Sequence, residues 1–101
     1  MADPADKLNL DDALQRLRAD RDAMPWAERR EIAASLGEAL AAESKSAAAL
    51  AILHLLADDP KPEVRKEIAV LLILLPQDDF TKLAARLSQD TSSFVQKAVE
   101  R

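Results

Sequence analysis

Hydrophobic residues recur at helical spacing along most of the chain, and prolines and short polar stretches divide them into segments. In the first segment, Leu10, Leu14 and Leu17 fall on one face of a helix that Asn9 can cap. Pro25 and Pro62 suit the first turn of a helix, where a missing N–H donor costs nothing. The pattern predicts six helices, over residues 9–20, 25–42, 47–57, 62–75, 78–87 and from about residue 93 onward.

The fourth predicted helix, residues 62–75, is apolar almost all round. Besides its expected core face it carries Val70, Ile73 and Leu74 on the opposite side, and Pro76 ends it. A helix that is apolar all round has to be covered all round. We expect the flanking helices to supply that cover, with a partner groove or a dimer contact as the alternative.

Two short sequences repeat each other. Residues 59–66 read Asp-Pro-Lys-Pro-Glu-Val-Arg-Lys, and residues 90–97, 31 positions later, read Asp-Thr-Ser-Ser-Phe-Val-Gln-Lys. In each copy an acidic residue ends one apolar stretch and a valine begins the next. A period of about 20 to 50 residues, built as helix, turn and helix, is typical of repeat arrays.

Residues 55–69, Leu-Leu-Ala-Asp-Asp-Pro-Lys-Pro-Glu-Val-Arg-Lys-Glu-Ile-Ala, resemble a HEAT repeat, in which Leu-Leu and an acidic turn precede Pro-x-Val-Arg. The copy at residues 90–97 departs from this pattern, with Ser93 in place of the proline and Gln96 in place of the arginine. Residues 29–33 align with residues 65–69 only if about five residues are inserted between the copies, so the first hairpin is interpreted as a cap.

The resemblance implies an all-α, right-handed α-α superhelix of about six helices. Its three hairpins would cover residues 9–42, 44–75 and 78–101 of a single domain, 9–101, and its second helices would line a concave face that holds other macromolecules. A six-helix death-fold-like bundle fits the length of the chain but not the 31-residue repeat.

In HEAT arrays the acidic residue of a turn commonly pairs with the second-helix arginine of its own or the next repeat. Carried over, this implies a structural ladder of Asp59, Arg65 and Asp90. We expect Asp59 and Arg65 to pair with each other, which leaves Gln96 or Lys97 for Asp90. Near a surface such pairs contribute at most about 1 kcal/mol.

Two sets of residues are candidates for binding a partner. Arg30, Lys66 and Lys97 occupy equivalent positions in successive second helices, and the row could bind an acidic protein segment or a nucleic-acid backbone. The alternative is a solvated face in which glutamates alternate with the cations. Phe94, Val95 and Val99 belong to the last helix, where no following repeat shields them, and they form a candidate end interface.

Composition argues against catalysis. The chain has no cysteine or tyrosine, one histidine and one glycine, which excludes thiolate chemistry and a Gly-rich phosphate loop. His54 lies on an Ala-rich helix and is interpreted as a partly buried or surface residue. The pairs at residues 58–59 and 78–79 are interpreted as turn and cap residues. We predict no catalytic, cofactor-binding or metal-binding residue and no small-molecule substrate.

Charge and the two chain ends complete the prediction. The formal net charge is -4; by count, the excess of acids lies in residues 1–43. Residues 1–8 are predicted to be a flexible leader without the features of a secretory signal, and no apolar run reaches membrane length, so the cytoplasm is expected.

The predicted function is a non-catalytic protein-interaction or assembly module that binds a protein partner or itself. The resemblance favours a regulatory adaptor in a longer bacterial signalling protein; nucleic-acid binding is the alternative.

Overall fold

The computed structural model describes residues 9–100, and for Glu100 only the backbone. The predicted leader, residues 1–8, lies outside the described residues. The described part is all-α. Its six α-helices are α1 (Leu10–Asp20), α2 (Trp26–Ala42), α3 (Ala47–Leu56), α4 (Pro62–Val70), α5 (Gln77–Leu87) and α6 (Ser93–Glu100), and single 3-10 turns follow α1 (Arg21–Ala23) and α4 (Leu72–Leu74).

Side-chain caps fix where two of the helices begin. The Asn9 side chain accepts the Asp12 N–H at 3.0 Å, as predicted. The Ser46 side chain caps α3 and accepts the Ala49 N–H at 3.3 Å. The prediction that Asp78 caps the fifth helix is wrong, because α5 already begins at Gln77, directly after Pro76. Asp78 instead lies in the first turn, where a carboxylate favours the positive end of the helix dipole.

The fourth helix is shorter than predicted. It ends at Val70, and the backbone continues through the 3-10 turn before Leu75 adopts an extended conformation. Pro76 accounts for the conformation of Leu75, because a proline disfavours helical geometry in the residue before it. The tighter turn buries Leu72 and leaves Ile73 82% exposed. The expectation that neighbouring helices cover this segment all round is therefore wrong.

Three helices pack side by side, with α4 between α2 and α6. The helix α3 packs against α1, α2 and α4, and α5 packs against α4 and α6. The buried interior draws on all six helices; its largest fully buried apolar side chains are Leu17, Leu36, Leu40, Ile52, Leu53, Leu56, Val64, Ile68, Leu83, Leu87 and Val95. Each such leucine or isoleucine contributes about 1.5 to 3 kcal/mol. None of the helices in residues 9–100 is both long and apolar enough to cross a bilayer.

Gly37 marks a close approach between α2 and the end of α4. A Cβ atom at this position would lie 3.3 Å from Leu71 Cδ2. The glycine therefore lets Leu71, which is 8% exposed, pack against the middle of α2.

Candidate binding groove

A buried ion pair joins the first hairpin to the turn of the second. The Arg29 guanidinium binds the Asp59 carboxylate through two hydrogen bonds, Nε to Oδ2 at 2.6 Å and Nη2 to Oδ1 at 3.2 Å. The two residues are only 4% and 1% exposed. Arg29 also donates to the backbone carbonyls of Arg21, at 3.2 Å, and Met24.

Asp59 also accepts a hydrogen bond from its own turn. Its Oδ1 atom accepts the Lys61 N–H at 2.9 Å. Among the described residues, no buried polar side-chain atom lacks a hydrogen-bond partner. This complete pairing is what allows two charges to remain buried. The pair fixes the turn before α4 against the start of α2.

A second ion pair repeats this geometry one hairpin further along. Arg65 on α4 binds Asp90 through Nε to Oδ2 at 2.7 Å and Nη2 to Oδ1 at 3.0 Å. Asp90 Oδ1 also accepts the Ser92 N–H at 2.8 Å. Burial raises the pKa of the Asp90 carboxyl, but the hydrogen bonds from Arg65 and Ser92 and the charge of Arg65 outweigh burial and lower that pKa below its ordinary value.

The ladder thus has a different register from the one predicted. Asp59 does not pair with the side chain of Arg65; it pairs with Arg29, and Arg65 Nη1 donates to the backbone carbonyl of Asp59 at 2.6 Å. The prediction that only Gln96 or Lys97 is available to Asp90 is also wrong. Each arginine reaches forward to the next turn, because its side chain lies between its own turn carbonyl and the following carboxylate.

Gln96 takes the position in α6 that Arg65 takes in α4. Its side-chain amide donates to the carbonyl of Asp90, as Arg65 does to the carbonyl of Asp59. Gln96 keeps the bond to its own turn but lacks the charge with which Arg29 and Arg65 bind the next one. The alignment of residues 29–33 with 65–69 held the signal that could have placed Arg29 in the ladder.

The row of Arg30, Lys66 and Lys97 is only partly free. Arg30 Nε lies 3.4 Å from Glu67 Oε2 in an ion pair whose arginine side chain is 55% exposed. Lys66 and Lys97 are both exposed, and neither forms an ion pair with any side chain that the structure describes. Two cations of the row thus remain available at the surface of α4 and α6.

An apolar groove runs beside these lysines. One part, of about 540 Å³, lies where α4, its 3-10 turn, α5 and α6 meet, and is lined by Ala69, Val70, Leu72, Ile73, Phe80, Ala98 and Val99. Val70 is 48% and Phe80 40% exposed. We call this part the apolar half of the groove. The sequence predicted a partner groove here only as the alternative to cover by the flanking helices, and its signal was the excess of apolar residues after position 69.

The groove continues between α4 and α6 into a region that carries charge. A concavity of about 210 Å³ is lined by Lys66, Val70, Phe94, Lys97 and Ala98, and shares Val70 and Ala98 with the apolar half. A third one, of about 330 Å³, extends it to Pro62 and Glu63 at the start of α4. We call this region the basic half. Its Phe94 ring is 72% exposed.

The structure separates the three residues of the candidate end interface. Val95 is completely buried and belongs to the core, so its assignment to an interface is wrong. Phe94 and Val99 lie along the groove, on the basic and apolar halves respectively. These two therefore join the row lysines on one surface rather than forming a separate end.

His54 connects α3 to α5. Its Nε2 atom lies 2.9 Å from Asp79 Oδ1, and its side chain is 38% exposed. Among the described residues no hydroxyl side chain hydrogen-bonds to the imidazole, and no group of three histidine or carboxylate side chains is placed to hold a metal ion. The pair links α3 to the first turn of α5.

No protein-family model, no curated protein and no solved structure matches this chain. The fold and the groove therefore carry the functional argument by themselves.

Proposed function

We propose that the chain is a HEAT-like array of three helical hairpins that acts as a non-catalytic protein-interaction module, with the groove along α4 and α6 as its binding surface. The observation that carries this proposal is the cluster of exposed apolar side chains, Val70, Ile73, Phe80 and Phe94, along one continuous groove. Contiguous apolar surface of this kind marks interaction sites in soluble proteins.

The arrangement of the hairpins supports the HEAT-like reading. Second helices stack in the order α2, α4, α6. Arg29 and Arg65 occupy equivalent positions, and each binds the carboxylate of the following turn. A repeated contact between successive hairpins is what a nearest-neighbour array needs. A regulatory or adaptor role in a longer signalling protein, and a place in the cytoplasm, are the expectations that accompany this resemblance.

The remaining exposed surface favours the groove over other faces. Five large apolar side chains are exposed within residues 9–99, and four of them line the groove. The fifth, Trp26, lies under Lys61, whose ammonium group is 4.9 Å from the ring centroid. That contact gives Trp26 a partner within the chain.

A capture experiment tests the proposal. The chain is immobilised and exposed to cell extract beside an Ile73→Asp, Phe94→Asp double variant and a control with Ala41→Asp and Ala85→Asp, two exposed positions outside the groove. We expect a specific protein to be retained by the wild type and the control and lost with the groove variant. Identical retention by all three chains would show that the groove is not the binding surface.

Nucleic-acid binding is the second candidate. It is favoured by the exposed Phe94 ring beside Lys66 and Lys97, since bases stack on aromatic rings next to cations. The net charge of -4 opposes it. Retention of the wild type on immobilised single-stranded DNA at moderate salt, lost with Lys66→Glu and Lys97→Glu together, would favour this candidate over protein binding.

A further inference from the structure

We infer that the occupant of the groove is a bipartite peptide segment, with bulky apolar residues at one end and carboxylates at the other. This inference rests on the proposed function and specifies the chemistry of the partner. One half of the groove is apolar and the other carries lysines. The apolar residues and the carboxylates of the segment therefore have to follow the same order along its length.

The apolar half selects bulky hydrophobic side chains. Val70, Ile73 and Phe80 surround its opening, and Ile73 is 82% exposed. Burying such a side chain gains about 25 cal/mol for each Å² of apolar surface removed from water. A polar segment would gain nothing here and would lose its own hydration. The segment therefore carries two or more large apolar residues at this end.

The basic half selects carboxylates. Lys66 and Lys97 flank the exposed Phe94 ring, and the neighbouring cations are already engaged, Arg65 with Asp90 and Arg30 with Glu67. The two lysines thus form a local excess of positive charge on a chain of net charge -4. Opposite charges across an interface set both specificity and orientation. Glu63, at the far end of this half, disfavours acids beyond the lysines.

The dimensions suit a short segment. The helix α4 has nine residues, which corresponds to a length of about 13 Å. One face of a helical segment of similar length would present apolar residues to one half and acids to the other. A nucleic-acid backbone fits less well, because two exposed lysines beside a glutamate neutralise few phosphates and the other half of the groove is apolar.

Synthetic peptides with a fluorescent label test the inference by anisotropy titration. The first peptide, of about 15 residues, has leucine and phenylalanine in one half and glutamate in the other. The second replaces each glutamate with lysine, and the third keeps the composition but distributes the glutamates along the whole length. We expect the first to bind at least about tenfold more tightly than either of the others, a factor that corresponds to about 1.4 kcal/mol.

Two double variants locate the charge effect. Lys66→Glu with Lys97→Glu should weaken the first peptide by about tenfold or more and strengthen the lysine peptide. Lys45→Glu with Lys82→Glu changes the net charge equally at exposed positions outside the groove and should change binding less than about twofold. Thermal melts establish whether each variant is folded.

The outcomes separate the inference from the proposed function. Equal binding of the first and second peptides, still lost on Ile73→Asp, would overturn the acidic occupant and leave the groove as a binding surface. Equal binding of the first and third would overturn the bipartite order. Peptide binding that survives both Ile73→Asp and the groove lysine variant would overturn the proposed surface itself. Tighter binding of a single-stranded oligonucleotide than of any peptide would overturn the peptide occupant in favour of nucleic acid.

Discussion

Two cations that are adjacent in sequence have opposite surroundings in this protein. Arg65 is held by the Asp90 carboxylate and the Asp59 carbonyl, whereas Lys66, the next residue, is exposed beside the groove. The same contrast separates Arg29 from Arg30. Successive residues of an α-helix point about 100° apart, so one cation of each pair meets the neighbouring turn while the other faces solvent. The ladder therefore organises the scaffold, whereas Lys66 and Lys97 of the neighbouring row stay exposed.

The largest expected effect comes from breaking the first ion pair. Asp59→Ala leaves the Arg29 guanidinium buried without its carboxylate, which destabilises a protein by about 3 to 5 kcal/mol. Chemical denaturation measures the loss. The matched control is Asp58→Ala, because Asp58 is the preceding residue and its ion pair with Arg86 is about half exposed. The control should lose at most about 1 kcal/mol, and an equal loss in both variants would contradict a structural role for the ladder.

The second ion pair should show its effect through pH. Because the folded-state pKa of Asp90 lies below its ordinary value of 3.8, its contribution to the free energy of unfolding is present above that value and is lost as pH falls through the folded pKa. Asp90→Asn should destabilise the protein by about 1.5 to 3 kcal/mol near neutral pH.

The gap between wild type and Asp90→Asn should narrow as the pH is lowered to about 3. Denaturant titrations at a series of pH values measure it, with Asp58→Asn as the control that should show a much smaller gap throughout. A gap that stays constant down to that pH would mean that charge on Asp90 does not contribute to stability.

A smaller effect is expected at the end of the ladder. Gln96→Ala removes one neutral amide donor from the Asp90 carbonyl, which is worth about 1 kcal/mol. The measurement is again denaturant unfolding. If Gln96→Ala lowers the free energy of unfolding as much as Asp59→Ala does, the contacts of the ladder do not weaken between the buried Arg29–Asp59 pair and Gln96.

The smallest effect on stability is expected on the groove side. Lys66→Glu together with Lys97→Glu changes two exposed side chains that have no ion partner among the described residues, and surface changes of this kind stay within about 0.5 kcal/mol each. Thermal and denaturant unfolding should match the wild type closely. Strong destabilisation would show that the row, like the ladder, serves the scaffold.

The helices were largely predictable because their signals are local. Asn9 caps α1 as the sequence suggests, and the apolar spacing of Leu10, Leu14 and Leu17 placed that helix correctly. The register of the ladder could not be predicted, because the choice of Asp59 between Arg29 and Arg65 depends on how the helices pack against each other. The insertion in the first copy also hid Arg29 from the repeat.

The groove was predicted only in fragments. Lys66 and Lys97 were predicted as part of a basic row and Phe94 and Val99 as part of a separate end interface. Nothing local in the sequence shows that the two sets share one surface. That surface exists because α4 ends at Val70 and the chain turns into α5. The apolar pattern of residues 62–75 does not reveal that early end.

Amide NMR spectra of the isotopically labelled chain, recorded as the acidic apolar peptide is added, test the central claim most directly. We predict shift changes concentrated in α4, its 3-10 turn, the start of α5 and α6, with α1 and most of α3 unchanged. The apolar residues of the peptide should show contacts to Ile73 and Phe80. Shift changes centred on α1 and α3, with α4 and α6 unaffected, would contradict the account.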